Sequence, residues 1–309
     1  MTADNGALAA GRGGVIHDIG YRRYEGPRLG RAAIVRALCW HSLRSAFGFG
    51  RGAKAKIVPV IAFIVLCLPA LVSAVAVARG SARPINYDTY IFQLRVVVMI
   101  IFIAAQAPEL VSRDLRSHVL PLYFSRPLRR LDYPFAKLAA FTLACLALIE
   151  IPLLLLYLGT VTQVHHAGAI WHETRALIPG LLVGLMWAVL LAAIGLVLAS
   201  LSGRRAYATG TIAICFFLSW VLAGILRGVA TGRGPVTGGA GAATTGARLS
   251  GLVSPFTVID GVRQWLGGTS VGPIPPPGSY GPLYGAMFVL LLAAAIGGLA
   301  VRYRKAGVA

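Results

Sequence analysis

The sequence predicts an all-α integral membrane protein with six transmembrane helices, and two observations carry this prediction. The chain of 309 residues is 57% hydrophobic and only 13% charged, whereas an ordinary soluble domain has roughly 25% charged residues. Six apolar runs are also long enough to cross about 30 Å of hydrocarbon at about 1.5 Å per residue. We predict these spans at residues 57–78, 91–111, 134–158, 176–201, 206–226 and 283–301, which together form one six-span domain over residues 57–301.

The positions of the cations predict the orientation of the chain. A formal net charge of +19 could indicate a nucleic-acid partner, but such proteins gather Lys and Arg on one face of a polar domain. Here the cations lie between apolar runs, so we expect membrane lipids and no nucleic acid as partners. The positive-inside rule counts 20 Lys and Arg on one side of the membrane and 6 on the other. Both termini, including the tail 302–309, are therefore expected on the cytoplasmic side of the plasma membrane.

The basic N-terminal segment, residues 1–56, contains no apolar core long enough for a secretory signal. Within it, residues 30–49 place several apolar side chains on one helical face: Val35, Leu38, Cys39, Leu43 and Ala46. This pattern predicts a cytoplasmic amphipathic helix that lies in the membrane plane before the first span. A disordered basic tail is the alternative.

A charged loop, residues 112–133, separates the second and third spans. It must face water, because unsatisfied backbone groups are costly in hydrocarbon. Ser112 and Asp114 suit the first turn of a short helix, while Pro121 and Pro127 interrupt it. The loop also carries an apolar run that a solvated turn does not need: Val119, Leu120, Leu122, Tyr123 and Phe124. We predict a short, broken amphipathic helix here, with a solvated turn as the alternative.

The order of residues around this loop resembles the cytoplasmic loop of type-2 ATP-binding-cassette (ABC) exporter permeases. The matching elements are Glu109, Ser-Arg-Asp at 112–114, Leu-Pro-Leu-Tyr-Phe at 120–124, Ser-Arg-Pro-Leu-Arg-Arg at 125–130, and Lys137. The motif covers about thirty residues, and the six-span layout extends the likeness to most of the chain. One departure is Ser117, where many relatives carry glycine.

This resemblance implies a coupling helix that docks on a separate ABC ATPase subunit. The residues that we expect at this contact are Asp114, Arg116, Leu120, Leu122, Tyr123, Phe124 and Arg126. The resemblance further implies a dimer with a second permease copy or a paralogue, and outward transport of an amphipathic, drug-like or lipidic substrate. The sequence contains no GxxxxGK[ST] phosphate loop. We therefore expect this chain to bind no cofactor, and ATP and Mg²⁺ to bind the partner ATPase.

The segment between the fifth and sixth spans, residues 228–281, is expected outside the cell. Residues 232–246 are mostly Gly, Ala and Thr, which predicts a flexible linker. Residues 249–266 are apolar enough to pack as short helices at the outer membrane surface. Residues 273–277 are rich in proline and predict a stiff connection to the last span.

Arg95 and Glu150 are charged residues that we expect to be buried inside the predicted spans. At about 1.5 Å per residue they lie about 6 Å and 12 Å below the outer boundary of the membrane. We predict that they pair across the second and third helices, because a buried charge needs a partner or a wet cavity. In the alternative, Arg95 reaches the outer headgroups and Glu150 is protonated or bonds the backbone.

An integral-membrane enzyme that acts on lipid-linked substrates is the alternative function. Such an enzyme would gather several titratable residues at one membrane depth, and the spans hold few: Arg95, Glu109 and Glu150. We therefore predict no catalytic residues. We also predict no metal site, because the histidines after the third span repeat no known ligand spacing.

Overall fold

We describe the protein from a computed structural model of its 309 residues. The structure describes residues 26, 30–79, 87, 95–116, 123, 128–163, 166–232, 244–268 and 275–306. Within these ranges the regular structure is helical and no strand occurs. The all-α prediction is therefore confirmed for this part of the chain.

Nine α-helices occur among the described residues. They are α1 (Arg31–Ala46), α2 (Ile57–Ala78), α3 (Arg95–Arg116), α4 (Asp132–Val161), α5 (Ala167–Leu201), α6 (Arg205–Thr231), α7 (Thr245–Leu249), α8 (Pro255–Trp265) and α9 (Gly281–Ala306). Short 3-10 helices lie at Ala53–Lys56, Ser250–Val253 and Gly278–Tyr280. Six helices in the described ranges, α2 to α6 and α9, are long and apolar enough to cross a membrane. The prediction of six helices of membrane-spanning length and hydropathy is confirmed, and such a set of helices is the architecture of a multi-pass membrane protein.

The observed helices extend beyond the predicted spans where their ends are polar. The first span agrees with the prediction at both ends, but α5 begins at Ala167 and not at residue 176. Polar side chains in its additional turns find hydrogen-bond partners. The Thr174 hydroxyl donates to the Ile170 carbonyl at 2.8 Å and lies 2.8 Å from the Tyr157 hydroxyl. Hydropathy detects the apolar part of such a helix and misses the polar turns.

The end of α3 corrects one part of the loop prediction. Ser112 and Asp114, which we predicted at the start of a separate short helix, lie in the last two turns of α3. The Ser112 hydroxyl donates to the Ala199 carbonyl of α5 at 2.8 Å. Its polar group is therefore satisfied against a neighbouring span. Of the apolar run that follows in the loop, the structure describes Tyr123.

Close helix packing holds the bundle together, with α3, α4 and α5 at its centre. Phe102 of α3 stacks on Phe141 of α4 with ring centroids 6.0 Å apart, and Trp187 of α5 is fully buried. Gly195 of α5 allows Ile103 of α3 to approach its backbone. Lipid tails are as apolar as leucine, so membrane helices associate through such close contacts between small and large residues.

Helix α1 confirms that a helix precedes the first span, and one of its faces packs on the bundle. Leu38, Ser42 and Ala46 are buried, and Val35 and Leu43 are partly buried against the same core. The contacts of α1 are with α4 and α3. The apolar face that the sequence predicts is therefore turned toward other helices.

The segment between α6 and α9 forms short helices as predicted, but it lies deeper in the bundle than the predicted surface position. Phe256, at the start of α8, contacts Trp187 of α5 and Phe216 of α6 with centroid distances of 5.4 Å and 5.6 Å. Both partner residues lie near the middle of their helices. The first half of α8 is thus inserted between the fourth and fifth spans.

Bonds within α8 allow its charged residues to be buried. Arg263 donates to Asp260 Oδ1 at 3.0 Å, and the Gln264 amide donates to Asp260 Oδ2 at 3.1 Å. Asp260 is fully buried and Arg263 is nearly so. An unpaired buried charge would cost several kcal/mol. Charged residues in a sequence normally indicate a surface segment. The predicted position of α8 was therefore too close to the surface.

The predicted glycine-rich linker is described only at its ends. Gly232 ends α6 with a left-handed backbone, at a φ of 65°, and residues 233–243 lie outside the described residues. The end of the predicted linker is helical, because α7 begins at Thr245. The Thr244 hydroxyl caps this helix by accepting from the Ala247 N–H at 3.2 Å. Residues 273–274 of the proline-rich connection also lie outside the described residues.

Helices α8 and α9 approach each other at glycine contacts. A methyl group added to Gly261 of α8 would lie 2.2 Å from the ring of Tyr284 in α9. A methyl group on Gly281 of α9 would lie 2.1 Å from the ring of Trp265 in α8. Each aromatic ring therefore occupies the space that a glycine leaves on the opposite helix.

Gly261→Ala is expected to lower the thermal stability of the protein, because the methyl group must displace the Tyr284 ring. Overpacking of this kind costs about 1–3 kcal/mol. Thermal unfolding in detergent, followed by tryptophan fluorescence, measures the effect. Gly297→Ala in α9 is the matched control, since its methyl group would meet nothing within 4 Å. Equal melting temperatures for the two variants would contradict the close contact.

Candidate functional site

One end of the bundle brings together charged residues from separate helices. We define the charged end as the last turns of α3, the first turns of α4 and α6, the end of α9, and α1 with the residues that follow it. Three carboxylates lie there, those of Glu109, Asp114 and Asp132. Each is paired with a cation from another part of the chain, so the charged end connects elements that are distant in sequence.

Glu109 joins three parts of the chain. Its Oε2 lies 2.7 Å from Arg51, which follows α1, and its Oε1 is paired with Arg205 at the start of α6. The side chain of Glu109 is only 8% exposed, so the surrounding protein weakens both interactions less than water would. This carboxylate fastens the N-terminal segment and the fifth span to the second span.

Asp114, in the last turn of α3, is held by α4. Lys137 lies 2.9 Å from Asp114 Oδ2, and the Tyr133 hydroxyl donates to the same oxygen at 2.5 Å. The ring of Tyr133 contacts Tyr123 and Tyr303, with centroid distances of 5.4 Å and 5.3 Å. Tyr133 therefore connects a residue of the charged loop, the end of the second span and the end of the last span.

Asp132 connects α4 to α1. The Arg31 Nε donates to Asp132 Oδ2 at 2.6 Å, and a second guanidinium nitrogen pairs with Oδ1. The backbone N–H of Arg129 donates to the same carboxylate at 2.9 Å. Arg31 is 45% exposed, so water screens this pair and it contributes little to stability. Its main effect is to fix the start of α1 beside the start of α4.

The structure describes three of the residues that we predict for coupling. Asp114 and Tyr123 come together through Tyr133, whereas Arg116 is exposed at the end of α3. The remaining members lie outside the described residues: Leu120, Leu122, Phe124 and Arg126. Tyr123 is half-buried against its own chain, a contact that the sequence does not predict. The docking of these residues on another subunit stays a prediction.

Sequence reasoning missed the cations that pair with the three acids. Arg51 and Arg205 were counted only for membrane orientation, and Lys137 was given no partner. One signal was available, because an acid in the last turns of an apolar helix needs a cation or a wet cavity. The identity of the cation depends on the fold, since Arg51 and Arg205 are far from Glu109 in sequence.

Arg95 and Glu150 both lie within the bundle. Arg95 is fully buried in the first turn of α3 that the structure describes. Glu150 faces Gly184 of α5, where the absent side chain leaves room for the carboxylate. This carboxylate accepts no hydrogen bond from the described residues, Arg95 included. The predicted pairing of the two charges across the second and third spans stays a prediction.

Comparisons with known proteins show no family for this chain. No family model matches this chain, and no curated protein matches it either. The likeness to ABC exporter permeases therefore rests on the loop residues and the six-span layout. Among the described residues, no group of three His, Cys, Asp or Glu side chains is placed to hold a metal ion.

Arg51→Gln is expected to destabilise the protein more than Arg205→Gln. Both variants remove one partner of Glu109, but the Arg51 side chain is 16% exposed and that of Arg205 is 63% exposed. We expect a loss of about 1.5–3 kcal/mol for Arg51→Gln and of less than about 1 kcal/mol for Arg205→Gln. Thermal unfolding in detergent measures both. If the two variants lose equal stability, burial does not distinguish the two partners.

A double-mutant cycle tests the predicted interaction of Arg95 and Glu150. Arg95→Met and Glu150→Gln should each lower the melting temperature, because each leaves the other charge without its partner at a cost of at least about 2.5–3.5 kcal/mol. The double variant should recover much of the loss, since neither charge then remains. Strictly additive losses would mean that the two side chains do not interact.

Proposed function

We propose that this chain is the transmembrane permease subunit of a type-2 ABC exporter that moves an amphipathic, drug-like or lipidic substrate outward. The observation that carries the proposal is the loop motif from Glu109 to Lys137, which lies between two spans. Glu109 and Lys137, the first and last residues of this motif, both belong to the charged end, where each forms an ion pair. The loop therefore starts and finishes at positions that are fixed on the bundle.

The charged end supports a physical route from the loop to the spans. A helix that docks on a moving ATPase must pass its displacement to the membrane domain. Asp114 is bonded to α4, and Asp132 is bonded to α1. Glu109 is bonded to α6. A shift of the loop would thus move four helices together, namely α1, α3, α4 and α6. In this proposal ATP and Mg²⁺ bind the separate ATPase.

In this proposal the charged end faces the cytoplasm, so both termini are cytoplasmic. The excess of Lys and Arg on this side supports that orientation. Helix α1 would lie along the inner surface of the plasma membrane as an amphipathic in-plane helix. Arg36, Trp40 and Arg44 recur every four residues and are exposed, so they form one stripe on α1. Arginine and tryptophan are the side chains that favour the headgroup region.

The working assembly in this proposal contains two permease subunits and two ATPase subunits. Six spans are half of the complement typical of the exporters that the loop resembles. The partner permease is a second copy of the chain or a paralogue.

Purification of the chain from its native membrane tests the proposed function. We expect an ATPase that carries a GxxxxGK[ST] sequence to copurify, and mass spectrometry identifies it. ATP hydrolysis by this complex should increase with transported substrate. Transport by the chain with no ATPase bound would overturn the proposal. Turnover of a lipid-linked substrate by the chain alone would instead identify a membrane enzyme.

Phe124→Ala is expected to reduce transport while the permease still folds and reaches the membrane. Loss of a buried aromatic contact at an interface hot spot costs on the order of 2 kcal/mol or more. Assembly with the ATPase and transport in vesicles are the measurements. Trp171→Ala is the control, because Trp171 is an exposed aromatic residue near the opposite end of the bundle.

Tyr123→Ala should differ from Phe124→Ala in one respect. Because the Tyr123 ring contacts Tyr133, its removal should also lower the melting temperature of the isolated permease. If the Phe124 variant assembles and transports normally, the loop is an ordinary turn and not a docking helix.

A further inference from the structure

A cavity of about 1280 Å³ lies between α3 and α6 at the charged end. It has two chemically different parts. Three arginines line the cavity where the two helices reach the charged end, and we call them its rim. They are Arg116 at the end of α3 and Arg204 and Arg205 at the start of α6. Small side chains line it farther along the two helices, and these include Ala105 and Gly210. The cavity therefore combines a cationic part with a part that is lined by small residues.

The rim carries positive charge that the described residues do not neutralise. Arg205 is paired with Glu109. Among the described residues, no carboxylate lies within ion-pair distance of Arg116 or Arg204. The Arg204 guanidinium instead lies over the Tyr207 ring, 5.9 Å from its centroid. Two guanidinium groups that line one cavity match a phosphate, which arginine binds with two parallel hydrogen bonds.

The surface beyond the small residues is apolar. On α3, Val97 and Ile101 continue the row of Ala105 at four-residue spacing, and both are exposed. On α6, Ile214 and Phe217 follow Gly210 on the same side of the helix and are also exposed. A free phosphate ion would use only the rim. A molecule with a phosphate headgroup and acyl chains would use the rim and the apolar surface together.

We propose that this cavity binds an anionic phospholipid from the membrane leaflet next to the charged end. The phosphate group pairs with Arg116 and Arg204, and an acyl chain follows the row of Gly210 and Ala105 between α3 and α6. Gly210 contributes because a side chain at this position would fill open space, where no atom now lies within 4 Å. Lipid binding by the isolated chain requires no ATPase and can be measured separately from transport, although Arg116 is also one of the residues that we predict for the ATPase contact.

Native mass spectrometry of the full chain tests the proposal. The protein is delipidated in detergent and mixed with dioleoyl phosphatidylglycerol or dioleoyl phosphatidylcholine. We expect the wild type to retain phosphatidylglycerol in preference to phosphatidylcholine. The variant R116Q/R204Q should bind phosphatidylglycerol about fivefold more weakly for each arginine removed. The control R129Q/R130Q removes two cations before α4, outside the cavity lining, and should bind like the wild type.

Several results would overturn the proposal. Equal binding of phosphatidylglycerol by R116Q/R204Q and the wild type would do so, as would an equal loss in R129Q/R130Q. Displacement of phosphatidylglycerol by inorganic phosphate would assign the rim to a free anion. Cross-links that place a second copy of the chain over Gly210 would assign the cavity to a dimer interface. If R116Q/R204Q does not fold, R116Q and R204Q are measured separately, because each removes one exposed side chain.

Discussion

Inside a bilayer the backbone amides and carbonyls of this chain have no water to bond, and the rest of the structure depends on this constraint. Each span meets it by forming a continuous helix. Side chains obey the same rule where they enter the interior. The Ser112 hydroxyl donates a hydrogen bond to a carbonyl of α5. Asp260 is buried with Arg263 and Gln264 hydrogen-bonded to it. Glycines such as Gly195 and Gly261 then allow the satisfied helices to come close enough to pack.

The sequence predicts the apolar part of the fold well because hydrocarbon imposes one simple rule on composition. The first span was predicted to the residue, since Lys56 and Arg79 mark its two ends. The start of α5 was missed because polar residues lower its hydropathy, and their satisfaction depends on tertiary partners. Tyr87 donates to Glu173 at 3.0 Å, for example, and no local pattern reveals that contact. The depth of α8 was missed for the same reason.

The sequence predicts where the candidate site lies, but not which residues form ion pairs within it. Three acids close to one loop stand out in a chain with ten, and the resemblance added a role for the residues between them. Arg31, Arg51 and Arg205 reach these acids only because α1 folds back along α4 and because α6 starts beside α3. Such pairs are set by helix packing over long sequence separations, which hydropathy and local spacing do not encode.

Helix α1 is fastened to two different spans, by Arg31 to Asp132 at its start and by Arg51 to Glu109 just beyond its end. Helix α1 therefore resists sliding of the second span along the third, since such sliding must lengthen one of the two attachments. The attachments differ in how salt acts on them. The exposed Arg31 pair is screened as ionic strength rises, whereas the buried Glu109 pair is screened much less. In concentrated salt we therefore expect the attachment of α1 at Glu109 to persist after its attachment at Asp132 has weakened.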